Sequence, residues 1–261
     1  MKLSIVIVNY KNLDIMRLCL RSILNSDIPG EYEILVIDSE AEKESQETIT
    51  DEFLNVRYAP VPYNTGYSKG VNIGLANSLG EKILILNPDT VVKKDSISRL
   101  MEFLDQNPDV GLVGPRLLNF DGTFQQSAFR FYKPLNIIYR RTFLGKTKFG
   151  SKALDYFTLQ DIDLAKPAEV DWLTGSALMT TSLALKKVGL LDEKLFLYFS
   201  DVDWAKRFLQ KGYKIVYYPI SEIFHYHQRE SKSKWGILDP IFNKKTRWHL
   251  KDAVNYFLKY R

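Results

Sequence analysis

The chain of 261 residues has one cysteine and three histidines. A single thiol forms no internal disulfide, which excludes a small disulfide-stapled scaffold and points to a reducing compartment. Cys19 falls at an apolar position of a helical pattern, where a buried, inert thiol is expected. No run reaches the ~18 apolar residues of a membrane span. The opening run Leu3 to Val8 is too short for a signal core and carries no cleavage pattern. A cytoplasmic protein is expected, with room for peripheral association at the inner face of the plasma membrane. Internal repeats and low-complexity segments are absent, and 45% hydrophobic with 26% charged residues is ordinary globular composition.

Excess charge is scarce outside one region. From Arg229 to Arg261 nine Lys or Arg face three acids, net +6, so the overall +5 leaves −1 for the remainder. Basicity confined to a C-terminal segment argues against a nucleic-acid groove and favours a surface partner such as anionic lipid.

Short apolar runs alternating with amphipathic stretches predict βαβ units and a mostly parallel sheet. Strands are expected at Leu3 to Val8, Ile34 to Ile37, Val56 to Tyr58 and Ile83 to Leu86. Helices are expected after the first strand, around Ala41 to Phe53, over Tyr67 to Leu79 with Gly80 as its C′ residue, and over Asp95 to Gln106. Asn119-Phe120-Asp121-Gly122 signals a hairpin. The aromatic, basic segment from Phe129 to Lys166 lacks periodicity and reads as loops and short helices. A strand at Ala177 to Thr180, a helix near Ala184 to Val188, another from Val202 to Lys211 and a strand at Lys214 to Tyr217 follow. Leu250, Ala253, Val254, Phe257 and Leu258 mark a last amphipathic helix.

Polar groups at the carboxyl ends of such strands are candidates for function. Asp38 ends one strand and is open to two readings, a turn or cap and an acceptor for a base or ribose. Asn64 to Asn72 joins a loop to a helix N-terminus, where backbone N–H groups can receive an anion. Asp89, in the turn Asn87-Pro88-Asp89, is either an Asx-turn residue or a ligand for Mg²⁺ or Mn²⁺. Asp192, Glu193, Asp201 and Asp203 put four acids within twelve residues. Asp201 caps a helix or serves as a general base. Asp203 and Arg207 have the spacing of an i, i+4 ion pair. His225 and His227 alternate about Tyr226, so that an inward histidine is a core residue or a ligand.

With these residues in place the sequence resembles glycosyltransferase family 2, in particular its bacterial rhamnosyltransferase-like branch. The resemblance runs from Leu3 to about Ser231. It is carried by SIVIVNYKN, ILVIDSE, NTGYSKGVNIGL, LILNPDT, LTGSALM, GLLDEKLFLYFSDVDWAKRFLQKGY and IFHYHQRES, in that order. It implies an α/β GT-A fold, a Rossmann-like sheet flanked by helices. The implied halves are a nucleotide-sugar half at 1–120 and an acceptor and catalytic half at 121–231, followed by a basic amphipathic tail at 232–261. Asn9, Tyr10, Asp38, Asn64, Gly66 and Asn72 would line the donor pocket, with Asn87 beside them. Asp89 and His225 would hold a divalent metal, and Asp201 would be the base, with Asp203 as fallback.

The function so implied is metal-dependent, inverting transfer of a hexose such as rhamnose from a dTDP- or UDP-sugar. The acceptor would be a saccharide or polyprenyl-linked saccharide of the bacterial cell envelope. The sequence departs from the family where Asn87 replaces the first Asp of Asp-x-Asp, which shifts metal binding toward His225 and the substrate. It departs again where Ser200 replaces Glu in the Glu-Asp pair. These departures keep open a non-catalytic nucleotide-sugar-binding protein of the same fold. A sugar nucleotidyltransferase would need a glycine-rich loop where Asn9-Tyr10-Lys11-Asn12 stands. A nucleic-acid module would need lysine and arginine where the acids cluster.

Overall fold

The computed structural model describes residues 1–226 and 243–261. His227, the histidine segment beyond it, the basic residues Arg229, Lys232 and Lys234, and the expected boundary near 231 lie outside the described residues.

Four parallel strands, β1 (Leu3–Asn9), β2 (Tyr32–Ser39), β3 (Val56–Val61) and β4 (Lys82–Leu86), form one half of the sheet in the order β3-β2-β1-β4. Leu3, Ile5, Val6 and Ile7 are all fully buried, because helices cover both faces and leave no side of the strand wet. On one face α1 (Leu13–Leu24), α2 (Lys43–Glu52) and α4 (Ser96–Gln106) bury Cys19, Ile49 and Leu100 against Ile5 and Leu84. On the other, α3 (Gly66–Ala76) packs Val71 and Leu75 against Val6 and Ile85.

Beyond β4 the ladder changes character. After β5 (Thr90–Val92) come β6 (Val110–Leu118), β7 (Phe124–Gln125) and β8 (Ala128–Phe129). α5 (Pro134–Arg141), a 3₁₀ turn (Phe143–Lys146) and α6 (Lys148–Phe157) make up the segment expected as loops and short helices. β9 (Ala168–Glu169), β10 (Trp172–Leu173), β11 (Ala177–Thr181), α7 (Ser182–Val188), α8 (Ser200–Gln210), β12 (Lys214–His225) and α9 (Lys244–Lys259) complete the chain. β11 enters antiparallel between β4 and β6, and β12 lies parallel to β6, in a ten-stranded sheet. The hairpin at Asn119 to Gly122 is present, with Gly122 at φ 82°.

Three expectations change. Gly80 is not a helix C′ residue: α3 ends at Ala76, and Gly80 is there because a Cβ would stand 2.4 Å from the Ser4 nitrogen. β12 does not stop at Tyr217; it continues past Pro219 through a register shift between Tyr218 and Glu222 and ends at His225. α9 does not turn its whole apolar stripe inward. Ala253 and Tyr256 are buried, whereas Leu250, Val254 and Leu258 are exposed.

Candidate active site

The register of β12 decides where its last residue goes. β12 pairs antiparallel with β5, setting His225 opposite Thr90 and therefore beside Asp89. His225 Nε2 lies 3.4 Å from Asp89 Oδ1. The hairpin after β6 brings Gln125 to the other side of the ring, where its Oε1 is 2.7 Å from His225 Nδ1. Nδ1 donates to that oxygen, which turns Nε2 toward Asp89. Asp89 Oδ1 is buried and lacks a hydrogen-bond partner among the described residues.

A carboxylate oxygen and an imidazole nitrogen placed this close suit a divalent cation. No group of three or more His, Cys, Asp or Glu residues that could hold a metal occurs among the described residues. Asp89 and His225 would thus hold it as a pair and leave the other positions to substrate oxygens and water. Behind the turn, Cys19 is buried within 3.6 Å of the Thr90 hydroxyl, and burial pushes its thiol up to about 12.

The turn is tied directly to the acidic helix. Asn87 N–H donates to Ser176 O at 2.9 Å. Next to Ser176, Gly175 N–H donates to Asp201 Oδ2 at 3.0 Å, and Val202 N–H donates to Asp201 Oδ1 at 2.9 Å. Burial raises the Asp201 carboxyl to about 6, and these N–H donors pull the other way. Tyr67 OH donates to Gly175 O at 2.7 Å, and a Cβ on Gly175 would lie 2.6 Å from that hydroxyl. Phe199, the residue before α8, is held in the left-handed region at φ 63°. Strain of that kind persists where the surroundings over-determine it, and here Tyr132, Tyr256 and Phe257 pack around the ring.

Asp203 is placed quite differently. It is fully buried and accepts from Arg207 Nε at 3.0 Å and Tyr260 OH at 2.7 Å, with Lys259 Nζ also at 2.7 Å. The i, i+4 pair read from the sequence is present, and the carboxylate is consumed in anchoring α9. Ser200 is buried at the start of α8.

At the ends of β1 and β2 lies a polar pocket of about 380 Å³ lined by Asn9, Lys11, Asn12, Asp38, Glu40 and Ser45 among others. Asp38 accepts from Asn9 Nδ2 at 2.7 Å, from Ser45 Oγ at 2.6 Å and from Tyr58 OH. Asn9 Oδ1 is buried without a hydrogen-bond partner among the described residues. Tyr10 is exposed and does not line the pocket. Lys11 and Glu40, at φ 54° and 57°, pair across its rim at 3.1 Å. Neither was singled out in the sequence, since both look like solvated charges; positive φ at paired strand ends is visible only in the fold.

Three N–H groups at the start of the Asn64 to Asn72 segment are taken up within the fold. Thr65 N–H donates to Ser39 Oγ at 2.7 Å, Gly66 N–H to Asn64 Oδ1 at 2.9 Å and Tyr67 N–H to Phe196 O at 2.8 Å. Gly66 has φ 67°, and a Cβ there would lie 2.5 Å from Phe196 O. Asn72 exchanges hydrogen bonds with Leu191 through both ends of its amide and also donates to Glu193 at 3.0 Å. The segment braces the loop that leads into α8.

The profile of the family described as glycosyl transferase family 2 matches residues 4–159, more than half of the chain. The chain belongs to glycosyltransferase family 2. It is 27% identical over 215 residues to the N-acetylglucosaminyl-diphospho-decaprenol L-rhamnosyltransferase of Mycobacterium tuberculosis, a match covering 74% of this chain and 66% of that protein. It is 24% identical over 270 residues to rhamnosyltransferase WbbL of Escherichia coli K12, covering 98% and 93%. The crystal structure of GalNAc-T7 with UDP, GalNAc and Mn²⁺ is similar at TM-score 0.65 and 18% identity, covering 87% of this chain and 44% of that one. The chain thus has the GT-A fold expected from its sequence.

Proposed function

We propose that this family 2 chain transfers a hexosyl group, with rhamnose as the first candidate, from a nucleoside diphosphate donor to a hydroxyl of a saccharide or polyprenyl-linked saccharide, with inversion. The observation that carries the reading is the link from Asn87 through Ser176 and Gly175 to Asp201. It holds a metal-binding turn and a raised carboxylate in fixed relation. The names of the mycobacterial and Escherichia coli relatives support rhamnose and a lipid-linked acceptor.

In this reading the pocket at Asn9 and Asp38 takes the nucleoside. Asn9 Oδ1 is the open acceptor for a base N–H, and Asp38 holds the Asn9 amide in place. Asp89 and His225 hold the divalent cation. When bound, that cation supplies Lewis-acid neutralisation of the charge that develops on the departing diphosphate. Asp201 takes the proton from the acceptor hydroxyl as its oxygen bonds to the anomeric carbon and the sugar–phosphate bond breaks. The products are the glycosylated acceptor, the nucleoside diphosphate and a protonated Asp201. A carboxyl raised to about 6 is unprotonated near neutrality, yet more basic than an ordinary aspartate.

The test is a thermal-shift and turnover screen of dTDP- and UDP-sugars with and without Mn²⁺. The expected outcome is Mn²⁺-dependent stabilisation by one donor and release of its nucleoside diphosphate only when acceptor is added. Binding without any turnover on saccharide or lipid-linked acceptors would overturn the proposal in favour of a binding protein.

A further inference from the structure

The hairpin of α5, the 3₁₀ turn and α6 carries a surface that the site does not use. Phe143 is 78% and Phe149 82% exposed, and Leu135, Ile138 and Tyr156 are exposed with them. Single exposed apolar residues are ordinary, but a run of them on consecutive elements marks an interaction surface. The charge around them is one-sided. From Lys133 to Lys152 there are six Lys or Arg and no Asp or Glu, and Asp155 is the one acid of α6. The basicity is therefore not solely a property of the C-terminal segment; acids elsewhere hide this stretch in the sum. Lys146, Lys148 and Lys152 are exposed and form no ion pair among the described residues.

We propose that this hairpin docks the protein on an anionic lipid surface. Phe143, Phe149, Leu135 and Ile138 would enter the boundary between headgroups and acyl chains, and the lysines would meet the phosphates. Beside them, Lys133 and Lys152 stand at a pocket of about 390 Å³ walled by Phe131, Phe149, Tyr156 and Phe157. That places cations next to an aromatic wall, the pairing a lipid headgroup and its first methylenes require. A second copy of the chain is a poorer occupant, because it would bring two surfaces of the same net positive charge together. Nucleic acid is poorer as well, because exposed leucine and isoleucine gain nothing from it. α9, for which packing on the fold and docking on a leaflet were both open, is clamped to the fold by Asp252 and by its contacts to Asp203.

The test is sedimentation of the full chain with vesicles of phosphatidylcholine alone and of phosphatidylcholine with phosphatidylglycerol, without sugar nucleotide. Its result is thus independent of the catalytic reading. Wild type is expected to pellet only with the anionic vesicles. The triple variant Lys146→Gln, Lys148→Gln, Lys152→Gln should bind on the order of 100-fold more weakly. Phe143→Ser with Phe149→Ser should also release the protein, with unchanged circular dichroism, since both side chains are solvated in the fold. Wild type that stays in the supernatant, or variants that pellet like wild type, would overturn the proposal. A wild-type dimer that the phenylalanine variant splits, with pelleting unaffected, would overturn it in favour of self-association.

Discussion

Gly175 N–H donates to Asp201 Oδ2 across 3.0 Å, and the carbonyl of the same glycine receives the Tyr67 hydroxyl at 2.7 Å. The glycine peptide therefore couples α3 to the carboxylate and fixes where the charge sits. No Lys or Arg side chain is hydrogen-bonded to Asp201 among the described residues, whereas Asp203 is held by Arg207, Lys259 and Tyr260. The side chains around Asp203 occupy its oxygens, whereas the basicity of Asp201 comes from burial and persists against its backbone N–H donors.

The two aspartates should separate experimentally. Asp201→Asn is expected to lower turnover by roughly 10²–10⁴-fold while donor binding, followed by thermal shift, stays near wild type. Asp203→Asn should act on stability instead, because it leaves Arg207 and Lys259 without their shared carboxylate. Its loss is expected on the order of 3 kcal/mol by chemical denaturation, with turnover per folded molecule largely kept. The reverse pattern would move the base to Asp203.

Asp201 also sets a pH dependence. Its carboxyl rises from 3.8 to about 6 because burial penalises the charged form. Between those two values the folded chain still holds the proton while the unfolded chain has released it. This one group therefore costs stability as pH rises through the window; the cost is absent below it and complete above it. Asn carries no such cost, so Asp201→Asn should melt above wild type near about pH 8 and lose that advantage near about pH 4. Turnover should show a rising limb centred at about 6 that the wild type has and Asp203→Asn retains. A flat wild-type profile across that limb would exclude Asp201 as the titrating base.

Much of this was legible in the sequence, and the reasons for the exceptions are physical. β1, β2 and β4 announce themselves because burial on both faces forces continuous apolar runs. β6 was missed because Gly111, Gly114, Pro115 and Arg116 interrupt its pattern. Gly111 is required there, since a Cβ would stand 2.4 Å from a Phe208 ring carbon. Asp89 and Asp201 stand out as candidates from their strand-end and helix-start positions. Asp252 was passed over as one acid in a basic helix, because its work is done on residues 54 to 56 positions away. Gln125 was likewise invisible; only the hairpin carries it to His225.

Gln125 should matter for metal binding without being a ligand. Its Oε1 holds His225 Nδ1 at 2.7 Å and so directs Nε2 toward Asp89. Gln125→Leu is expected to weaken Mn²⁺ affinity by about 10–100-fold, as loss of such a partner typically does. Asp89→Ala should abolish the saturable component altogether. Calorimetric titration with Mn²⁺ in the presence of nucleoside diphosphate measures both. Equal Mn²⁺ affinity in wild type and Gln125→Leu would show that the ring orientation does not depend on the hairpin.

Asp252 provides the last prediction. Its carboxylate is fully buried and accepts from three successive backbone N–H groups, Phe196 at 3.1 Å and Leu197 and Tyr198 at 2.9 Å each. These residues lead through the left-handed Phe199 into Asp201, so α9 holds the approach to the proposed base from behind. Asp252→Ala strips three buried donors of a charged acceptor and should cost on the order of 3 kcal/mol or more. Asp252→Asn retains one acceptor oxygen and should fall between the two. Hydrogen exchange should then quicken at Phe196 to Tyr198 before it does at β1, because only the loop loses its acceptor. If Asp252→Ala melted with wild type and exchanged at the same rate there, the bonds from Tyr67, Ser68 and Asn72 would suffice to hold the loop, and Asp252 would be dispensable to it.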